Sequence, residues 1–358
     1  MPSVLDELKK EPPHIPDKYV WLRKLGCSYQ YAVSLCLPRS ALEDARSRLV
    51  TGDEDAITDA LLKEVVILKI NAYDSGAPPE SIANYRERMN KEIRTLQKIR
   101  AEAYARSGGK QCAQILDHYD MDTTDEGEWG WLTMEAAPLS CDLDTISLFD
   151  SRAKLPEALL WLVITQMYDI FWFLQHGCNP SIAHQDLGGS SIVISFPQGQ
   201  GQNSGSAAAK RPKVILVGFG RSVIQDNNEP ENNHILSGDE ALLGDVTDLV
   251  QEICNLVKRC YDYGTSIRGT GKIIRRSVVI LDEDVPKEVD AFFAKGEHYV
   301  NSLEELWAEI GEFAKEQLEK VGDEEWEELR DLVLEIKKGE GNLRDVVKDA
   351  LKGQPAED

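Results

Sequence analysis

Basic residues are scarce in this chain. Forty Lys and Arg stand against 62 Asp and Glu, for a formal net charge of −22. A surface field of that sign repels nucleic acid and anionic membrane, so neither is an expected partner. Paired cysteines are missing as well. The seven cysteines (Cys27, Cys36, Cys112, Cys141, Cys178, Cys254 and Cys260) include no Cys-x-x-Cys and no histidine at ligand spacing, which argues against a zinc site. Their odd number, with no signal-like apolar opening, points to a reduced intracellular compartment, cytoplasmic or nuclear. No apolar run reads as long enough to span a membrane, and no segment repeats. What remains is 42% hydrophobic and 28% charged over 358 residues, an ordinary globular composition. That length accommodates one large domain or two lobes with a shared core.

The acid is uneven: residues 281–358 carry 24 Asp and Glu against 10 Lys and Arg. A solvated helical face explains such a run, and so does a docking surface for a basic protein partner. Residues 1–18, with Pro12, Pro13 and Pro16 among charges, read as a flexible lead-in. A hairpin follows from Tyr19, turning near Cys27–Gln30, and residues 38–62 look like a helical insertion between strands. Glu64 to Ile70 is a strand with one lysine, Lys69, inside an apolar run. A long helix opens at Pro78-Pro79-Glu80, with Ile82, Tyr85, Met89, Ile93, Leu96 and Ile99 at helical spacing and Glu92 beside that stripe. Strands near 114–119 and 129–134 come next, then mostly helices, at 156–176, 245–261, 286–294, 302–320, 323–338 and 342–352. The loop at about 197–211, rich in Gln, Gly and Ser, has nothing to bury and is expected to be disordered. A β-rich front and a helical remainder predict an α+β chain with two lobes.

Two stretches carry chemistry. Ser181-Ile182-Ala183-His184-Gln185-Asp186-Leu187-Gly188-Gly189-Ser190-Ser191 is a tight loop that feeds a β-branched strand. Val214 to Gly220 is a second strand, closed by Gly218-Phe219-Gly220. In order and spacing these stretches, with Leu25-Gly26 to Val33, Lys69, Glu92 and Asp245 to Val250, resemble the protein-kinase superfamily from about Tyr19 to at least Trp307. The chain is most similar to divergent kinase-like proteins of filamentous fungi. The resemblance implies a two-lobed protein-kinase-like fold with a small β-rich N-lobe, 19–136, and a larger helical C-lobe, 137–322. Residues 323–358 follow as acidic C-terminal helices.

The same resemblance assigns roles. Lys69 would hold the α- and β-phosphates of ATP, with Glu92 as its helix partner. Gly26, Val33, Ile67, Glu135, Ala137 and Val193 would line the nucleotide site, with Met134 gating the back pocket. Asp186 would be the catalytic base, and His184, Phe219 and Leu96 a stacked apolar column. Asp245 would accept hydrogen bonds from the loop backbone. Departures accumulate against these assignments. Ser28 and Tyr31 stand where two phosphate-cradling glycines are usual, and Ile67 where a small alanine is. Gln185 replaces an arginine, Gly188 a lysine, and Ser191 and Gly218 the two metal ligands; no Ala-Pro-Glu follows. Phosphoryl transfer relies on positioning and charge cancellation, to which Mg²⁺ contributes heavily. The expectation is therefore a pseudokinase: a scaffold or regulatory protein with weak, metal-poor ATP binding or none, and no Mg²⁺ bound in the usual way. The alternative is an active divergent Ser/Thr kinase using Asp186 and Lys69, with a substitute ligand such as Asp226. Small-molecule phosphotransfer ranks below both. The basic run Arg268, Lys272, Arg275 and Arg276 reads as a mobile cationic loop that neutralises the acidic lobe, ahead of the alternative that it binds phosphate or an acidic peptide.

Overall fold

The computed structural model describes residues 15–27, 31–50, 52–71, 79–103, 108–119, 130–137, 139–149, 154–197, 211–225, 238–261, 263–268, 275–280, 285–295, 300–338 and 341–353. Positions 28, 226, 272 and 198–210 therefore lie outside the described residues, as does most of the lead-in. The chain is α+β and divides into two units. The first comprises 1–97, 113–138 and 337–358, and the larger second unit 98–112 and 139–336.

A five-stranded antiparallel sheet organises the first unit. Its strands are β1 (Tyr19–Cys27), β2 (Tyr31–Pro38), β3 (Val66–Asn71), β4 (Ile115–His118) and β5 (Trp131–Glu135), in the order β1-β2-β3-β5-β4. Alternation along β3 sends Val66, Leu68 and Ile70 to one face, where they pack with Tyr19, Cys36 and Trp131. Ile67 and Lys69 go to the other face. Between β2 and β3 the helical insertion is two helices, α1 (Arg39–Leu49) and α2 (Glu54–Leu62). Asp53 caps α2 by accepting from the Asp55 amide at 3.0 Å. The long helix α3 (Pro79–Ala103) buries Met89, Ile93, Leu96 and Ile99, the stripe its periodicity predicts.

In the second unit, β6 (Leu139–Asp142) leads into α4 (Leu143–Phe149) and α5 (Glu157–Trp172), which continues through a π-turn, Phe173–Gly177. Strand β7 (Ile182–Ala183) precedes β8 (Ile192–Phe196) and β9 (Lys213–Leu216); β6, β8 and β9 form a three-stranded sheet. Strand β10 (Val223–Ile224) pairs with β7, and α6 (Gly238–Cys260) follows. The span Glu157–Gly177 is long and apolar enough to cross a membrane, which corrects the expectation that no run is. Most of it is buried within the protein, and a helix apolar on nearly every side is what such burial requires.

Arg268, Arg275 and Arg276, expected on a loop, belong instead to a hairpin, β11 (Tyr263–Arg268) with β12 (Arg275–Ile280), in which Arg268 is opposite Arg275. The consecutive β-branched Val278, Val279 and Ile280 that follow supply the strand character. The remaining helices of this unit are α7 (Lys287–Lys295), α8 (Leu303–Leu306), a π-turn at Trp307–Gly311, α9 (Glu312–Lys320) and α10 (Asp323–Lys337).

Residues 323–358 do not act as one acidic segment. While α10 up to Ile336 belongs to the second unit, α11 (Leu343–Lys352) belongs to the first. The reason is its pattern. Leu343, Val347 and Leu351 recur every fourth residue and join the buried cluster of Leu22, Leu35, Leu37, Leu42, Ile57 and Leu61. Arg344, Lys348 and Lys352 form a parallel basic stripe. Arg344 reaches Asp55 at 3.0 Å and also Asp59, Lys348 reaches Asp55 at 2.8 Å, and Lys352 reaches Glu54 at 2.9 Å. Lys348 and then Arg344 hold the Asp55 carboxyl below its ordinary range. Asn342 caps the helix start, and at its end Arg46 donates to the carbonyls of Ala350 (2.7 Å) and Leu351 (3.2 Å).

Candidate functional site

In the first unit, Lys69 is the centre. Its Nζ donates to Glu92 Oε2 at 2.6 Å, with the two side chains 9% and 1% exposed. Strand β3 carries the lysine and α3 the glutamate, and both side chains are buried. The Tyr31 ring lies over the ammonium, its centroid 4.0 Å from Nζ. A cation held between a carboxylate and an aromatic face is well satisfied without any ligand. Tyr31 is the residue expected only to crowd a glycine position; its ring over Lys69 is a contact that one-dimensional spacing does not reveal.

The other residues assigned to the nucleotide in this unit share the sheet. Gly26 is paired with Val33, Val33 also lies opposite Lys69, and Ile67 lies opposite Leu35 on one side and Met134 on the other. Glu135 is exposed and closes β5, and its amide donates to the Gln114 carbonyl at 3.0 Å. Ala137 is half-buried two residues further on. Ile67 packs against the cluster that includes α11.

In the second unit the loop after β7 is held from below by Asp245 of α6. Asp245 is fully buried, and its Oδ2 and Oδ1 accept from the amides of His184 (2.6 Å) and Gln185 (2.7 Å). Burial pushes its carboxyl up to about 6, against the pull of the two donors. Gln185 sits at φ 62°, a left-handed conformation uncommon for a residue with a side chain. Its amide nitrogen donates to the Ala241 carbonyl at 2.6 Å, a second tie to α6. His184 Nε2 donates to the Val217 carbonyl at 2.9 Å, Nδ1 accepts from the Asp186 amide at 3.3 Å, and one neutral tautomer serves both bonds. The imidazole meets the Phe219 ring edge-on at 4.8 Å. Leu96, the third residue of the expected column, is buried in α3.

Asp186 itself is open. Its carboxylate is about half exposed and faces Arg221 at 3.4 Å, a neighbour not foreseen from the sequence. Ser191 has its hydroxyl engaged, donating to the Asp186 carbonyl at 2.8 Å and accepting from the Gly188 amide at 3.3 Å. Gly218 has φ 87°, and nothing lies within 4 Å of where a Cβ would stand. Val193 lies in β8 opposite Asp142 and Ile215. Gly189 is tightly approached: a Cβ there would fall 2.2 Å from Asp144 Oδ1. Among the described residues no three His, Cys, Asp or Glu side chains gather as a metal-ligating group. The Mg²⁺ that active kinases use does not fit the two positions assigned to it, because glycine has no ligand and the serine oxygen is already shared between two backbone groups.

No family model and no curated protein sequence matches the chain. Among solved structures it is similar to a chain in the structure of the CAK complex from Chaetomium thermophilum bound to ATP-gamma-S, at 17% identity and a TM-score of 0.41. That match covers 68% of this chain and 62% of the other, so this chain spans less than two thirds of that protein's length.

Proposed function

We propose that the protein is a kinase-like pseudokinase, a binding or regulatory protein whose nucleotide site is weak and independent of metal. The observation that carries this reading is the closure of Lys69 between Glu92 and the Tyr31 ring. A phosphate would have to displace the tyrosine before it met the ammonium. The occupied Ser191 hydroxyl and the ligand-free Gly218 add to it. If ATP binds, Gly26, Val33, Ile67, Lys69, Glu135 and Ala137 are the residues of the first unit that would hold it, and ATP would supply only its own contacts. Gln185 fits the same reading. Its side chain ties the loop to α6 directly, where the resemblance expects an arginine awaiting a phosphate. A basic protein is the partner class that the charge balance favours.

One observation favours the rival, an active divergent kinase. Asp186 is held on a well-braced loop with its carboxylate about half exposed, where a substrate hydroxyl could come within hydrogen-bond reach. A base alone contributes about 10²–10⁴-fold and cannot organise phosphates. The deciding experiment is a phosphotransfer assay on generic protein substrates with Mg²⁺ or Mn²⁺. Transfer no higher than that of an Asp186→Ala control is expected; robust transfer lost in that control would establish the rival.

A further inference from the structure

The face of β3 that carries Lys69 is covered by two different parts of the chain. Ile67 and Lys69 share that face, about 6.6 Å apart along the strand. Leu35 lies opposite the first and Val33 opposite the second. At the Lys69 end the Tyr31 ring lies over the ammonium. The Ile67 end meets an apolar cluster in which Leu22, Leu35 and Leu37 of the sheet join Leu343, Val347 and Leu351 of α11. Leu25, Ile67 and Ala136 pack against the same cluster. Ile67 is a residue the kinase resemblance assigns to the nucleotide, Leu25 precedes Gly26, and Ala136 stands between Glu135 and Ala137. Val66 and Leu68 belong to a separate cluster on the opposite face, so the cluster with α11 lies on the nucleotide side alone.

Two kinds of contact fasten α11 there. Val347 and Leu351 are fully buried, which seats the helix. Its outer fastening is ionic, from Arg344 and Lys348 to Asp55, from Arg344 to Asp59 and from Lys352 to Glu54. The Asp55 and Asp59 carboxylates are each more than half exposed, so these pairs are individually weak and screened by salt. Left-handed glycines bound the helix, Gly341 at φ 77° and Gly353 at φ 75°, so α11 is a separate piece and not an extension of α10.

We infer, resting on the kinase-like reading of this face, that α11 is an internal plug: it keeps the base-binding half of the nucleotide site shut, and a purine enters only when the helix is unseated. The apolar side chains against which a flat purine would lie already have apolar partners, and binding must displace them. The affinity measured is then the intrinsic affinity reduced by the fraction of molecules in which α11 is released. Weak nucleotide binding thereby has a cause at Ile67 that is separate from the ring over Lys69.

The test follows adenosine, which has no phosphate and makes no demand on Lys69 or Tyr31. Calorimetry measures its affinity for the full chain, and hydrogen exchange reports the amides of α11 and of β3 separately. One variant combines Arg344→Glu with Lys348→Glu, setting two glutamates against Asp55 and Asp59; the other, Leu351→Ala, weakens the apolar seat. In both, α11 should exchange faster while β3 stays protected, and the double variant should bind adenosine about tenfold tighter than wild type. It should also bind ATP more tightly, although its added negative charge acts the other way. Ile67→Ala separates a plug from a merely narrowed pocket, since it should tighten adenosine less than the double variant does. If Tyr31→Gly leaves ATP affinity unchanged while the double variant still tightens adenosine, the reading of Lys69 falls and the plug stands. Four results would overturn the plug: α11 exchange that rises in neither variant, β3 exchanging together with α11 as one unit, adenosine affinity that stays at the wild-type level while α11 loosens, or Ile67→Ala matching the double variant.

Discussion

Two ionisable clusters, one in each unit, meet water in opposite ways. Lys69 and Glu92 are buried in the first unit, 2.6 Å apart, with the Tyr31 ring over the ammonium. Asp186 and Arg221 in the second unit are each about half exposed, at 3.4 Å. The first pair is part of a core, because separating buried charges strands one of them in low dielectric. The second is a surface pair of the kind that contributes little. Asp245 stands between the extremes, buried like the first pair but answered by backbone amides instead of a charged partner. The presence of Lys69 is therefore explained by packing without any phosphate, whereas nothing structural demands Asp186.

That contrast can be broken most forcefully at Lys69. Lys69→Met leaves Glu92 buried and unpaired and should cost about 3–5 kcal/mol in urea unfolding. Asp186→Ala should stay within about 0.5 kcal/mol. Similar losses for both would erase the distinction. Next in size is the tie between α11 and the sheet. Leu351, 1% exposed, is among the last described residues, yet Leu351→Ala should cost about 2–4 kcal/mol, as a core deletion does. A terminal helix lying loosely on the surface would give almost none of it.

Asp245 supplies a pH-dependent probe. Its folded value near 6 stands above the ordinary 3.8, so between pH 7 and 4 the folded chain binds a proton that the unfolded chain does not. Its contribution to stability is present at low pH and lost as pH rises through about 6. In Asp245→Asn this dependence vanishes, so wild type should gain on the variant by about 2–3 kcal/mol between pH 7 and pH 4. A difference that stays constant, or shrinks on acidification, would place the proton elsewhere. The smallest effect belongs to Gly218→Asp. The side chain has room, and the left-handed backbone costs about 1 kcal/mol. Melting should fall slightly while Mg²⁺-dependent ATP affinity rises; an unchanged affinity would mean that residue 218 does not face the phosphates.

Local pattern reveals the strand with Lys69 and the helix with Glu92, because each is set by neighbours in sequence; the anchoring of the His184 loop by Asp245 is implied only by the family resemblance. The contacts that decide the chemistry are long-range. Nothing local places the Tyr31 ring over Lys69, since that depends on the β2–β3 register. Leu343, Val347 and Leu351 announce an amphipathic helix but not which apolar face it meets; Leu22 and Leu35 are more than three hundred residues away. Arg268 and Arg275 read as a cationic loop because charge hides strand pairing. Arg221 approaches Asp186 only through the turn that follows Gly218.

The claim that Lys69 is closed to phosphate and that no metal site accompanies it is met most directly by calorimetric titration of the wild-type chain with ATP, in Mg²⁺ and again in excess EDTA. Weak binding of the same strength in both conditions is expected, with Tyr31→Gly tightening it by opening the face of Lys69. Tight binding that requires Mg²⁺ and is indifferent to Tyr31→Gly would contradict the account.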